Sequence, residues 1–169
     1  MSIVTDFIKL DKEYGALLDC IRDERKSRTP MPILVSGLCE GASDATFASL
    51  IKDLKNDAKG TALILLPDEK SCVRLCSFLK MQGLDAGFYM ARDLTFYNIT
   101  ASHEYEHERL SVLSGILDGR YDAVVTTPDA ALGFTIPPER LNESRYVIDY
   151  GETSSTLTYP RLTKNSLNF

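Results

Sequence analysis

Apolar residues recur along the chain with two spacings, which together predict helices alternating with strands. Between Thr5 and Arg25 the apolar side chains fall three and four residues apart, which predicts an amphipathic helix capped by Thr5 or Asp6. The same spacing predicts helices from about Asp44 to Leu54, from Pro67 or Asp68 to before Gly83, and from Ser102 to before Gly119, with a short helical turn over Pro128–Leu132. Short apolar runs predict five strands, at Ile33–Ser36, Thr61–Leu66, Ala86–Met90, Tyr121–Thr126 and Arg145–Asp149.

The spacing also predicts which side chains are buried. The strand at 61–66 shows no polar alternation, so we expect it to be covered on both faces. The side chains expected to point inward from the helices recur once per turn. They are Phe7, Leu10, Tyr14, Leu17, Leu18 and Ile21, then Phe47, Leu50, Ile51 and Leu54, then Val73, Leu75, Cys76 and Leu79, and finally Leu110, Leu113, Ile116 and Leu117.

The order of these elements predicts an α/β fold. Strands separated by helices of ten to fifteen residues form βαβ units with right-handed crossovers, and such units build a mainly parallel sheet. We expect one domain over residues 1–150, because the chain is long enough for one good core. Residues 151–169 are polar at first and show neither spacing, so we expect a tail or the truncated start, or re-entry, of a further domain.

Charge argues against a lobe that binds nucleic acid independently. The net charge is −5. The stretch from Ala91 to Glu152 contains eleven acidic residues and five arginines. A surface that neutralises phosphates needs a stripe of lysine or arginine, and the sequence offers none. No secretion signal and no apolar run of about 20 residues is found, so we expect a cytoplasmic protein that does not cross a membrane.

The four cysteines stand in apolar, periodic segments. Buried free thiols in a reducing cytoplasm are therefore the expectation for Cys20, Cys39, Cys72 and Cys76. Cys72 and Cys76 lie on one helical face but lack the Cys-x-x-Cys spacing of a redox or zinc site.

The turn after the first predicted strand has the position of a phosphate-binding loop but not its residues. Such a loop needs Gly-x-x-x-x-Gly-Lys-Ser/Thr, in which the glycines let backbone amides cradle the phosphates, the lysine reaches the outer phosphates and the hydroxyl holds magnesium. Counting from Gly37, with Gly41 inside the loop, Ala42 replaces the second glycine, Ser43 replaces the lysine and Asp44 replaces the hydroxyl. We expect no nucleotide to bind and no cofactor.

The same turn also matches a nucleophile elbow. Gly37-Leu-Cys-Glu-Gly41 has the Gly-x-nucleophile-x-Gly form, which would make Cys39 the nucleophile of a hydrolase. The chain has two histidines, His103 and His107, and both fall at the start of a helix rather than after a late strand. A small residue in a tight turn is therefore the favoured interpretation.

The two histidines form a third candidate. His103-Glu-Tyr-Glu-His107 matches His-Glu-x-x-His, in which two histidines one turn apart hold zinc and the glutamate activates water. The neighbouring residues are polar, and an acid such as Glu139 would have to supply the missing third ligand. We therefore expect a solvated helix start, with no catalytic residue and no metal.

Several segments taken together resemble one family. They are Leu34–Leu38, Ala62–Leu75, Tyr89–Tyr97, Glu108–Leu113 and Asp122–Leu132, within roughly Ile33 to Leu141. In this order and spacing they resemble the N-terminal module of bacterial transcription-repair coupling factors, which is itself similar to the excision-repair subunit UvrB. The most specific positions of the resemblance are Arg92, Asp93, Tyr97, Glu108, Arg109 and Leu110.

The resemblance implies a helicase-like lobe of the P-loop NTPase type with a degenerate nucleotide loop. The full-length family protein is an ATP-dependent DNA translocase that displaces stalled RNA polymerase and recruits UvrA. The resemblance places the motor in other domains, and it places the UvrA contact in a domain inserted after this lobe. The expected role is a non-catalytic scaffold that contacts the other domains of its own full-length protein. UvrA and RNA polymerase are expected partners of the full-length protein only. A lobe that retains nucleotide binding is the alternative.

Overall fold

A computed structural model describes residues 3–39, 41–55, 57, 60–91 and 103–144. Within these ranges, regular structure consists of helices α1 Ile3–Ile8, α2 Lys12–Lys26 and α3 Ala42–Lys55, strand β1 Ala62–Leu65, helix α4 Glu69–Met81, strand β2 Ala86–Tyr89, helix α5 His103–Leu117, strand β3 Ala123–Thr126, and helices α6 Pro128–Leu132 and α7 Pro138–Glu143.

The three strands form one parallel sheet in the order β1-β3-β2. Ala123 of β3 aligns with Ala62 of β1 and with Ala86 of β2. All four side chains of β3 are buried, whereas β1 and β2 each pair with β3 alone within the described sheet. The predicted mixed α/β fold with parallel pairing is thereby confirmed.

Helices cover both faces of the sheet. Ala123 and Val125 of β3 pack in a cluster that contains residues of α3 and α4, whereas Val124 packs with Val112 of α5 on the opposite face. Leu75 and Leu79 of α4 are fully buried in the larger cluster. Truncating either leucine to alanine would cost about 2–5 kcal/mol, because a cavity would remain.

The predicted first helix is two helices. Asp11 adopts an extended conformation, and its side chain accepts a hydrogen bond from the Glu13 amide, so that α2 begins one residue later. A side-chain cap of this kind competes with helix continuation, which explains the break. Phe7 and Leu10, which were predicted to be buried, are exposed.

Polar contacts join α2 to α3 and to Asp57, two residues beyond the end of α3. The Tyr14 hydroxyl donates to Oδ2 of Asp53 at 2.8 Å, and Nε of Arg22 lies 2.7 Å from Oδ2 of Asp57. Burial raises the pKa of Tyr14, and the hydrogen bond to Asp53 raises it further. The phenol therefore stays protonated and keeps donating to the carboxylate.

The predicted strand at Ile33–Ser36 does not form. Residues 30–39 carry no regular structure, and Leu34 is 92% exposed. A strand requires a ladder partner, and the described sheet consists of β1, β3 and β2 alone. The segment instead lines a groove beside α1 and α2.

Several other apolar side chains that the sequence predicts to be buried are exposed. Leu63 and Leu65 of β1 are 65% and 51% exposed, whereas Val124 of β3 and Tyr89 of β2 pack with Val112 of α5. Exposure is also found for several helical side chains predicted to be inward, namely Val73, Leu110, Ile116 and Leu117. Spacing identifies an apolar stripe on a helix, but tertiary packing decides how much of the stripe is covered.

Tyr121 fills a space left by two glycines. A Cβ added to Gly87 of β2 would lie 3.1 Å from Cζ of Tyr121, and a Cβ added to Gly115 of α5 would clash with the ring. The absent side chains therefore let α5 approach the sheet with the ring between them.

Two compact units divide the chain, residues 1–135 and 136–169. Of the second unit the structure describes α7 and its flanking residues, up to Ser144. The predicted strand at Arg145–Asp149 and the predicted boundary at residue 150 lie outside the described residues. None of the described helices has the length and apolar content needed to cross a membrane.

Substituting the two helical glycines should have opposite effects. Gly115→Ala should lower the free energy of unfolding by about 1–3 kcal/mol, because the new methyl group displaces Tyr121. Gly15→Ala should raise it by about 0.4–1 kcal/mol, because Gly15 of α2 has open space around its Cα. Urea unfolding measures both values, and equal stabilities of the two variants would contradict the packing described.

Candidate functional site

The turn before α3 is the candidate phosphate loop. Gly37 and Gly41 have φ values of 84° and 88°, a region that favours glycine. The Ala42 amide donates to the Cys39 carbonyl at 3.0 Å, and α3 begins at Ala42. A helix thus follows the turn as predicted, but no strand precedes it, so the predicted strand–loop–helix arrangement is wrong at its first element.

An acidic side chain occupies the first turn of α3. Asp44 is buried, and its Oδ2 lies 3.6 Å from Nη2 of Arg74 on α4. A carboxylate near a helix N-terminus is stabilised by the helix dipole and the exposed backbone amides. The negative charge stands where a phosphate would have to approach, and Ser43 beside it carries no positive charge. This arrangement binds α3 to α4 rather than presenting an anion site.

Arg109, one of the positions of the resemblance, contacts the end of β2. Its Cζ lies 4.3 Å from the centroid of the Tyr89 ring, and its guanidinium also donates to the Tyr89 hydroxyl and to the Met90 carbonyl. Burial raises the pKa of Tyr89, and the Arg109 charge opposes that rise. Arg109 therefore fastens α5 to the carboxyl end of β2.

The other positions of the resemblance fall into two groups. Glu108 and Leu110, on either side of Arg109, are exposed on α5. Arg92, Asp93 and Tyr97 lie outside the described residues.

Polar side chains at the carboxyl end of the sheet bind backbone. Thr126 Oγ1 donates to the Tyr89 carbonyl at 2.7 Å and so joins the ends of β3 and β2. Asp68 caps α4 by accepting from the Ser71 amide at 2.8 Å, and this hydrogen bond lowers the pKa of Asp68. Thr127 caps α6 by accepting from the Ala130 amide. These contacts stabilise the edge at which ligands of parallel α/β proteins usually bind.

The described part of the chain places two of the candidate nucleophile and zinc-ligand residues at the surface. Cys39 and His107 are both exposed. His103 is the first residue of α5, and its backbone alone is described. Within the described residues, no group of three histidine, cysteine or acidic side chains is placed to hold a metal ion.

The cysteine prediction is half right. Cys72 and Cys76 are buried, and burial raises the pKa of both thiols, which keeps them neutral and unreactive. Cys20 and Cys39 are exposed, so the predicted burial is wrong for them. Cys20 lies on α2 and Cys39 in the turn before α3.

Sequence reasoning missed Asp122, at the amino end of β3. Its Oδ1 lies 2.6 Å from Nζ of Lys55, and its Oδ2 accepts from the Asp85 amide at 3.0 Å. One carboxylate thus joins α3 to the start of β2. The only available signal was an acid next to a buried strand, which does not by itself identify the partners.

Comparison of the chain with known protein families, with curated proteins and with solved structures gives no match.

Removing the Arg109 side chain should loosen α5. Arg109→Ala should lower the free energy of unfolding by about 1–3 kcal/mol, because the ring stacking and the hydrogen bonds are lost together. Arg109→Lys should recover less than half of that loss, because an ammonium group cannot reproduce the planar fork. Urea unfolding measures both effects.

The matched control is Arg120→Ala, which removes an exposed guanidinium 3.5 Å from Asp118. Its effect should stay within about 0.5 kcal/mol. A loss for Arg109→Ala no larger than that of the control would contradict the fastening role.

Proposed function

We propose that this chain is a non-catalytic scaffold and docking lobe of a transcription-coupled DNA-repair translocase. The proposal joins the resemblance to transcription-repair coupling factors with the parallel α/β fold. Under this proposal the full-length protein takes part in DNA repair, translocates on DNA with ATP, contains this lobe as its UvrB-like part and is located in the cytoplasm.

The observation that carries the proposal is the buried Asp44 in the first turn of α3. A retained nucleotide site would place phosphate oxygens at this helix end, and a carboxylate there repels them. Arg74 could offset that charge but already pairs with Asp44. The geometry of this helix end therefore favours a lobe without nucleotide chemistry.

Arg109 gives secondary support. A residue shared with the family's motif would be retained in a lobe without catalysis if it maintained the fold. Its contacts with Tyr89 and Met90 serve that purpose here. We therefore interpret the motif as structural.

The partners follow from the same proposal. This lobe contacts other domains of its full-length protein, and the excess of acid over base from Ala91 to Glu152 makes DNA an unsuitable direct partner. UvrA and RNA polymerase are contacted by other parts of the full-length protein.

The test is a pull-down of UvrA by this chain and by a longer protein that continues through the family's inserted domain. We expect capture by the longer protein alone, because the proposal assigns the UvrA contact to the insertion. Equal capture by both would show that the contact lies in this lobe, and the assigned division of labour would be wrong. Capture by neither would count against the family assignment.

A further inference from the structure

Helices α1 and α2 are attached to the rest of the described structure in different ways. α1 packs closely on α3, where Thr5 and Ser49 are both buried and Oγ of Ser49 lies 3.4 Å from the Thr5 carbonyl oxygen. α2 does not pack as closely on any described helix or strand, and Tyr14 is its buried residue. The two core clusters of the described residues contain no side chain of α2. Three apolar side chains of α2 are partly buried, namely Leu17, Leu18 and Ile21.

The polar contact of α2 that lies farthest from α1 is an ion pair. Nε of Arg22 lies 2.7 Å from Oδ2 of Asp57, whereas the other carboxylate beside Arg22, that of Asp19, lies 3.7 Å away on α2 itself. The side chains of Arg22 and Asp57 are 37% and 35% exposed, so dissolved salt screens their attraction. The hold on the second half of α2 therefore depends on ionic strength.

The turn between α1 and α2 has the properties of a hinge. Residues 9–11 separate the two helices. Lys9 in this turn pairs with Asp53, and the Tyr14 hydroxyl donates to the same carboxylate, so two contacts hold the first half of α2. Beyond the other end of α2, residues 27–39 carry no regular structure and can follow a displacement of the helix. The second half of α2 is therefore the half that can move.

A cleft of about 250 Å³ lies beside the second half of α2. Arg25 of α2 supplies one wall, and the other walls come from α3, from β1 and from residues near their ends. Phe47, Leu50 and Leu54 of α3 line the cleft and are partly buried. Moving Arg25 away would open the cleft and expose these apolar side chains further.

We propose that α2 is a salt-sensitive lid over this cleft, which opens about the turn at residues 9–11 while α1 stays on α3. Screening of the Arg22–Asp57 pair releases the second half of α2. A released segment of this length, with Gly15 inside the helix, is marginally helical in water and unfolds, so its amides exchange with solvent. The proposal rests on the contacts of α2 alone, so its failure would leave the scaffold proposal untouched.

The experiment measures amide hydrogen exchange along the whole chain at about 0.02 M and about 0.5 M sodium chloride. With α4 as the internal reference, amides in the second half of α2 should exchange about threefold faster at the higher concentration, and those of α1 should not change. Arg22→Glu should accelerate exchange there about three- to tenfold at low salt, because repulsion replaces attraction. Adding Asp57→Arg restores opposite charges and should return the rate to within about twofold of the original.

The matched control is Lys26→Glu, which makes the same change of net charge on the same helix. Nζ of Lys26 lies 3.7 Å from Asp23 within α2, so its loss should affect the last turn alone. No slowing on addition of Asp57→Arg would overturn the proposal, because effects within the helix cannot be reversed from outside it. Equal acceleration of α1 and α2, or exchange that salt leaves unchanged, would also overturn it.

Opening of the cleft is measured separately by labelling a thiol with uncharged iodoacetamide. Leu50→Cys is introduced together with Cys20→Ser and Cys39→Ser, which remove the exposed native thiols and leave the two buried ones. Labelling at position 50 should accelerate with Arg22→Glu and slow again when Asp57→Arg is added. Equal labelling with and without these changes would show that α2 does not cover the cleft.

Discussion

Parallel pairing of β3 with a neighbour on each side is the interaction on which the described structure depends. β3 is short, all four of its side chains are buried, and its backbone bonds to β1 and β2. The alternation of its side chains also divides the core, with Ala123 and Val125 towards α3 and α4 and Val124 towards α5. Because β3 packs side chains on both faces of the sheet and pairs with a strand on each side, the helices packed on it have little room to shift.

Side chains at the two ends of the sheet reinforce that pairing. Asp122 joins β3 to Lys55 and to the Asp85 amide at the amino end, and Thr126 joins β3 to β2 at the carboxyl end. Arg109 then fixes α5 on Tyr89. Among the described residues, Thr126 and Arg109 at the carboxyl end of the sheet are thus engaged in holding backbone.

Local pattern was sufficient to predict α3, α4 and the three strands, because each requires only a repeated apolar spacing and a capping or breaking residue such as Asp68 or Gly83. The segment at Ile33–Ser36 has the same apolar character, yet a strand depends on a partner that spacing cannot supply. Leu63 and Leu65 fail for a similar reason, since their exposure depends on where α5 packs.

In the candidate loop, too, the sequence predicted the local residues but not their tertiary contacts. Its missing lysine and hydroxyl could be read directly from Ser43 and Asp44. The ion pair with Arg74 could not, because thirty positions separate the partners and tertiary packing alone brings them together. Gly115 inside a helix did carry a signal, since an interior glycine often marks close approach, but its partner Tyr121 follows only from the fold.

Backbone hydrogen exchange with and without magnesium ATP tests whether the fold depends on β3 and whether the N-terminus of α3 binds nucleotide. The slowest amides should be those of Val124 and Val125, because exposing them requires opening the whole sheet. ATP should leave the amides from Ala42 to Thr46 unchanged, because Asp44 occupies that helix end. Exchange in β3 as fast as in α2 would show that the fold does not depend on β3, and new protection of residues 42–46 by ATP would show a nucleotide site at α3.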